Sequence, residues 1–205
     1  MKIICVAMNY AAHGRELPDF AKPQEPVFFL KPDTAILKNG KPFFLPDFSE
    51  DMQYEAEIVV QIDRLGKNIG RRFAHRYFHD ITIGIDMTAR DLQRRLKENG
   101  FPWELSKAFD YSAVIGGFIP LAEAGGDINN LPFHLEIDGK TVQTGNTADM
   151  LFKIDELIEY VSRYITLRTG DLIFTGTPAG VGKIAVGNHL QGYVGGQKLL
   201  DFRIK

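Results

Sequence analysis

The chain has 205 residues, 44% of them hydrophobic and 24% charged, with a formal net charge of -2 and a pI near 6.2. That composition suits one globular domain over residues 1–205 and excludes a bulk electrostatic pull toward nucleic acid or an anionic membrane. One cysteine, Cys5, excludes an internal disulfide, and no run approaches the ~18 apolar residues of a membrane span, so a cytoplasmic protein is the expectation.

"KIICVA" predicts a short buried strand, and its apolar run ends at Asn9, too soon for a secretory signal. "NYAAHGREL" predicts a turn or two of helix, and the prolines of "PDFAKPQEP" an irregular connection. "VFFLKP" reads as a second strand, and "TAILKNGKPFFLP" as a hairpin about its Asn-Gly pair. "YEAEIVVQI" follows as one long strand. "RRFAHRYFHDI" has helical spacing, and "TIGIDM" reads as a strand that ends at Asp86.

"TARDLQRRLKENG" predicts the clearest helix, capped by Thr88, with Asp91 as an acidic capping-box variant and Gly100 as the stop. "AVIGGFIP" reads as a strand, and "FHLEIDGKTVQTGN" as a hairpin about Asp138-Gly139. "IDELIEYVSRYI" predicts a second helix with Ile154, Leu157, Ile158, Val161 and Ile165 on one face. "DLIFTGTP" runs from a strand into a Gly-rich loop, and "QKLLDFRIK" closes the chain as a strand. Strands outnumber helices and no regular βαβ alternation appears. The expected class is therefore α+β and β-rich, a mixed, mostly antiparallel fold with a few packed helices.

Glu55 and Glu57 raise a chemical question, because residues i and i+2 of a strand share a face. Their carboxylates can converge within roughly 7 Å. Either the pair is a solvated face, or a cation sits between the two charges and removes their repulsion. Asp86, at the end of an apolar strand, is equally placed to ligate or to cap a helix. Oxygen ligands without a Cys/His cluster favour a hard cation, Mg²⁺, Mn²⁺ or Ca²⁺. The loop "TGTPAGVG" lacks the Lys-Ser/Thr of a P-loop, which disfavours nucleotide binding, although its backbone and Thr177 suit a carboxylate.

Taken in order, "NYAAHGRE", "FLKP", "YEAEIVVQI", "GIDMTARDLQ", "PWELSKAFD" and "GDLIFTGTPAGVG" resemble the fumarylacetoacetate hydrolase family, over nearly the whole chain. The short branch of acylpyruvate hydrolases and oxaloacetate decarboxylases is the part most resembled. The resemblance implies a mixed β-roll of that family's C-terminal-domain type, a homodimer, and a metal held by Glu55, Glu57 and Asp86. It implies that His13 and Glu16 form a water-activating dyad on a lid segment within residues 1–30. It further implies that Lys107 holds a substrate or enolate oxygen, with Arg90, Gln93 and Thr177 binding substrate and Lys31 in support.

The implied activity is Mg²⁺- or Mn²⁺-dependent hydrolysis of a C–C bond in acylpyruvate-type keto acids, releasing pyruvate, with oxaloacetate decarboxylation beside it. The alternative is an isomerase or decarboxylase of 2-hydroxyhepta-2,4-diene-1,7-dioate type, or a keto–enol tautomerase. The partner is a small keto acid, not nucleic acid or membrane. One departure stands out: Met8 occupies a position where the family often carries Arg or Lys.

Overall fold

The computed structural model describes residues 1–11, 22–38 and 40–205. The first half supplies strands β1 (Ile3–Ala7), β2 (Val27–Lys31), β3 (Ile36–Lys38), β4 (Met52–Tyr54), β5 (Ala56–Ile62), β6 (Phe78–Asp86) and β7 (Thr88–Ala89). Two helices follow, α1 (Arg90–Glu98) and the single turn α2 (Glu104–Lys107), then β8 (Ala113–Ile115) and β9 (Ile119–Pro120). The second half adds β10 (Pro132–Ile137), β11 (Lys140–Asn146), α3 (Ile154–Tyr164), β12 (Leu172–Phe174), β13 (Gly182–Lys183), β14 (His189–Val194) and β15 (Gln197–Arg203).

The architecture is α+β and strand-rich. An eight-stranded sheet runs in the order β2-β1-β12-β5-β6-β8-β3, with β9 also paired to β6. Most pairs are antiparallel, but β1 runs parallel to β12 and β3 parallel to β8. A four-stranded sheet, β11-β10-β14-β15, packs on the large one, and a small sheet joins β13, β4 and β7. Gly192 of β14 makes the close approach possible, since a Cβ there would meet the Ile83 side chain at 2.9 Å.

β5 shows why its sequence lacks apolar/polar alternation: both faces are buried. Ile58, Val60 and Ile62 enter the main core with Ile81, Ile83, Leu135, Leu190 and Leu200. Val59 enters a second core with Ile3, Cys5, Leu172 and Phe174. α3 buries Ile154, Leu157, Ile158 and Val161 on one face, while Ile165 lies just past its end as the C-cap. Its first turn is closed by the Glu156 carboxylate, which accepts from the Lys153 backbone N–H at 2.9 Å. The hairpin about Asp138-Gly139 has φ of 52° and 74° at its two turn residues, the left-handed pair that a two-residue hairpin requires.

Other local expectations fail where long-range pairing wins. "TAILKNGKPFFLP" is not a hairpin: β3 pairs with β8, and buried Phe43 bridges to Ile204. "RRFAHRYFHDI" is a 3-10 turn only over Arg71–Arg76, because β6 begins at Phe78 and carries Ile81, Ile83 and Ile85 into the core. "AVIGGFIP" breaks into β8 and β9 at Gly116 and Gly117. "YEAEIVVQI" breaks at Glu55, between β4 and β5. Thr88 does not cap the following helix. It lies in β7, and Ala89 holds the cap position without a side-chain hydrogen bond.

Gly84 of β6 stands opposite Glu57 in the sheet register. A Cβ at Gly84 would lie 2.7 Å from the Phe174 ring and 2.9 Å from the Val114 carbonyl oxygen. Gly84→Ala is expected to cost about 1–3 kcal/mol by overpacking, read as a lower urea midpoint at unchanged slope. An unchanged midpoint would show that the strand relaxes freely beside Glu57.

Candidate active site

Three carboxylates meet where β5 begins and β6 ends. Glu57 lies in β5, Asp86 is the last residue of β6, and Glu55 occupies the break before β5. The Asp86 N–H donates to the Glu55 carbonyl at 2.9 Å, which fixes the two backbones side by side. All three side chains are buried, and one oxygen from each lies within 4.8 Å of the others. Convergence thus survives the strand break, because the antiparallel register rather than strand continuity brings the residues together.

Cations surround this acidic floor. Lys107, at the end of α2, donates at 2.8 Å to Glu55 Oε2, at 2.8 Å to Asp86 Oδ2 and at 2.6 Å to Thr88 Oγ1. Burial works against its charge, but Asp86 and Glu55 outweigh that cost and raise its pKa. Lys31 is fully buried, with Nζ 2.8 Å from Asp86 Oδ1. It also donates to the Lys107 carbonyl, to the Ser112 carbonyl at 3.1 Å and to Ser112 Oγ at 3.0 Å. Lys31 therefore compensates Asp86 and anchors the backbone that carries Lys107. Arg90 pairs with Glu55 and donates to Gln53 Oε1 at 2.9 Å and Gln93 Oε1 at 2.7 Å.

Glu57 differs from its neighbours. It accepts from the Gly176 N–H at 2.6 Å, and no ion pair reaches it among the described residues. Burial, then the charges of Asp86 and Glu55, push its pKa well above the glutamate range. Gly176 has φ +97°, and a Cβ there would press on Asn9 at 2.7 Å, so the loop needs glycine to present this N–H. Thr177 Oγ1 donates to the Ala56 carbonyl at 2.9 Å and accepts from Gln143 Nε2 at 2.7 Å.

A cleft opens over the carboxylates, lined also by Met8, Phe29, Lys97, Trp103 and Thr177. Met8 sits at φ 57°, a left-handed conformation unusual for a side-chain-bearing residue. Its apolar side chain lines the wall where the family pattern would place a cation.

Glu55, Glu57, Asp86, Arg90, Gln93, Lys107 and Thr177 all border this one cleft. His13 and Glu16, and most of the expected lid, lie outside the described residues. Sequence reasoning took Thr88 for a helix cap and did not single out Ser112, Gln143 or Gly176; the roles of all four depend on contacts across the fold. Lys97 and Trp103 were also missed. Lys97 had a signal, since it follows Arg90 by seven residues on the same helix and so shares its face.

The donor set suits a hard divalent cation. It offers carboxylate oxygens only, and burial, then the like charges of Asp86 and Glu55, hold the Glu57 pKa high, a cost that a divalent ion would relieve. Among the described residues no helix is long and apolar enough to cross a membrane.

The fumarylacetoacetate (FAA) hydrolase C-terminal family model matches residues 2–201. Oxaloacetate tautomerase YcgM of Escherichia coli K12 is 40% identical over 189 residues, covering 92% of this chain and 86% of its own. The oxaloacetate decarboxylase of Dictyostelium discoideum, a mitochondrial protein by its name, is 41% identical over 187 residues, covering 91% and 85%. Among solved structures, fumarylpyruvate hydrolase from Pseudomonas aeruginosa, in complex with Mn²⁺ and pyruvate, superposes with a TM-score of 0.93. It is 36% identical, with 100% of this chain and 89% of that one covered. A match of this extent, over a chain whose carboxylates converge as described, places the protein in the fumarylacetoacetate hydrolase family of enzymes.

Proposed function

We propose that the protein is a divalent-metal-dependent enzyme that stabilises the enolate of a short 2-keto acid. The observation that carries this reading is the buried convergence of Glu55, Glu57 and Asp86 within 4.8 Å, with the Lys107 ammonium bridging two of them. Glu55, Glu57 and Asp86 would hold the ion, which supplies Lewis acidity toward the oxygens of a keto acid when bound.

Charge balance supports an anionic substrate. Lys31, Lys107 and Arg90 pair with Asp86 and Glu55, so three formal positive charges already match the three carboxylates before a divalent ion enters. The loaded centre is then cationic and favours a carboxylate that gains further negative charge as it enolises. Lys107 would donate a hydrogen bond to that developing oxyanion by giving up one of its three present acceptors, Glu55, Asp86 or Thr88. Its pKa is raised, so it remains an ammonium throughout the neutral range.

Two outcomes follow from one enolate. Return of a proton to carbon gives keto–enol interconversion, the activity named for the E. coli relative. Attack of water on a distal carbonyl would instead break the C–C bond to a carboxylic acid and the same enolate, which takes a proton to become pyruvate; a hydrolase is what the P. aeruginosa neighbour is named. His13 and Glu16 are the chain's candidates for activating that water: Glu16 would orient His13, and the imidazole would take the proton.

The test is an assay of Mn²⁺-loaded protein for ketonisation of oxaloacetate and for pyruvate release from acetylpyruvate and fumarylpyruvate. His13→Ala is expected to lose pyruvate release by about a hundredfold or more while retaining metal and ketonisation. Pyruvate release that survives His13→Ala would remove the dyad. Wild-type protein inert toward all three keto acids would remove the reading itself.

A further inference from the structure

We propose that Gln143, a residue of the four-stranded sheet, is the positioning residue for the Glu55–Glu57 pair, and that it acts by closing a ring of hydrogen bonds around Ala56, the residue between them. The proposal rests on the metal-dependent reading above and names what builds its centre. β12 pairs with β5 only at Val59, Val60 and Gln61. Past Phe174 the chain leaves the sheet, so β5 loses that neighbouring strand just beside the carboxylates. Backbone groups along a buried edge still need partners. The loop after β12 supplies some of them: the Ile58 carbonyl accepts from the Thr175 N–H at 3.1 Å and from Thr175 Oγ1 at 2.8 Å.

Ala56 is held by both of its backbone groups. Its N–H donates to Gln143 Oε1 at 3.0 Å, and its carbonyl accepts from Thr177 Oγ1 at 2.9 Å. Gln143 Nε2 donates to that same Thr177 oxygen at 2.7 Å, which closes the ring. Nε2 also donates to the Pro178 carbonyl at 2.8 Å. A backbone N–H can only donate and a carbonyl can only accept, so the Gln143 amide has a single orientation that serves both. Thr177 must then accept from the amide and give its own proton to Ala56.

Gln143 occupies a core position. It stands opposite buried Leu135 beside a bulge in the β10–β11 register, and only 2% of it is exposed. A hydrophobic side chain would pack there with no polar group to satisfy, so a glutamine is costly unless every bond is made. Bulges of this kind re-aim side chains next to active sites. The task it performs is set by repulsion. Three oxygens within 4.8 Å of one another require a fixed angle between Glu55 and Glu57, and like charge pushes the two apart. On the β6 side the Asp86 N–H ties the Glu55 carbonyl at 2.9 Å. The ring ties Ala56 from the opposite side, so the break in the strand keeps one geometry.

Calorimetric titration with Mn²⁺ tests this. Gln143→Met keeps the volume and removes the amide, and Thr177→Val keeps the shape and removes the hydroxyl. Each is expected to weaken Mn²⁺ binding about tenfold or more and to broaden the electron paramagnetic resonance spectrum of the bound ion. The double variant should bind about as well as the weaker single one, because either change opens the same ring. Gln143→Asn, one methylene shorter and still polar, is a second variant that should show the same loss. Leu135→Val, facing Gln143 in the same core, should lower the urea midpoint and leave Mn²⁺ affinity and spectrum unchanged. In metal-free protein the Ala56 amide should exchange slowly in the wild type and rapidly in Gln143→Met. Wild-type affinity in Gln143→Met, losses that multiply in the double variant, an equal loss in Leu135→Val, or rapid Ala56 exchange in the wild type would each overturn the proposal. Wild-type protein that binds Mn²⁺ while Gln143→Met binds it equally well fails this proposal alone. Wild-type protein that binds no Mn²⁺ fails the metal-dependent reading and the proposal with it.

Discussion

Glu57→Gln is expected to abolish Mn²⁺ binding and turnover while making the metal-free protein more stable at neutral and alkaline pH. Activity should fall by about a thousandfold or more, as for removal of a principal electrostatic element. The stability effect has the opposite sign because of where Glu57 sits. Burial, then Asp86 and Glu55, raise its folded-state pKa above the ordinary glutamate value.

An acid with a raised folded pKa contributes stability fully below its unfolded pKa, and that contribution is lost as pH rises through the folded value. Metal-free wild-type protein should therefore lose melting temperature as pH climbs above the ordinary glutamate value toward the raised folded one. Glutamine keeps an acceptor for the Gly176 N–H and carries no charge, so the variant should show a flatter profile over that range. Added Mn²⁺ should restore wild-type stability at high pH and leave the variant unmoved. Calorimetric scans with and without the ion decide it. A variant less stable than metal-free wild type at high pH would show that Glu57 is not held under electrostatic stress.

Lys107→Met is expected to reverse that pattern. Its ammonium is almost wholly buried and compensates Glu55 and Asp86 at 2.8 Å each. Removing one member of a buried ionic cluster strands the others, at a cost of about 3–5 kcal/mol. The Lys107 pKa is raised, so its contribution is complete below the unfolded lysine value and fades only as pH climbs through the folded one. The loss in the methionine variant should accordingly be uniform across the neutral range.

Mn²⁺ should rescue much of that loss, because a divalent ion can supply the missing positive charge, and its affinity should rise once the competing ammonium is gone. Turnover should still fall by about 10²–10³, since the donor to the enolate oxygen is absent. Weaker Mn²⁺ binding in Lys107→Met, with turnover preserved, would assign Lys107 to building the site alone.

Much of the site was legible in the chain because its parts are local. Glu55 and Glu57 are two residues apart, Asp86 ends an apolar strand, and Arg90 and Gln93 follow at helical spacing. Lys107 stands within a matched motif, "PWELSKAFD". Secondary structure was legible where one short-range rule dominates, as in the Asp138-Gly139 turn and the apolar stripe of α3. It was misread where a distant partner outbids the local signal. Phe43 leaves its expected hairpin for Ile204, and Thr88 gives up a helix cap to receive the Lys107 ammonium.

Residue type, order and short spacing were enough to read the family, the strand-rich class and the acidic cluster from the chain. Which charges compensate one another emerged from the folded chain alone. Lys31 reaches Asp86, Gly176 reaches Glu57 across 119 positions, and Lys97 is left without a counterion among the described residues. The physical reason is that burial and Coulomb energy depend on distance through space, and sheet register rather than chain separation sets that distance.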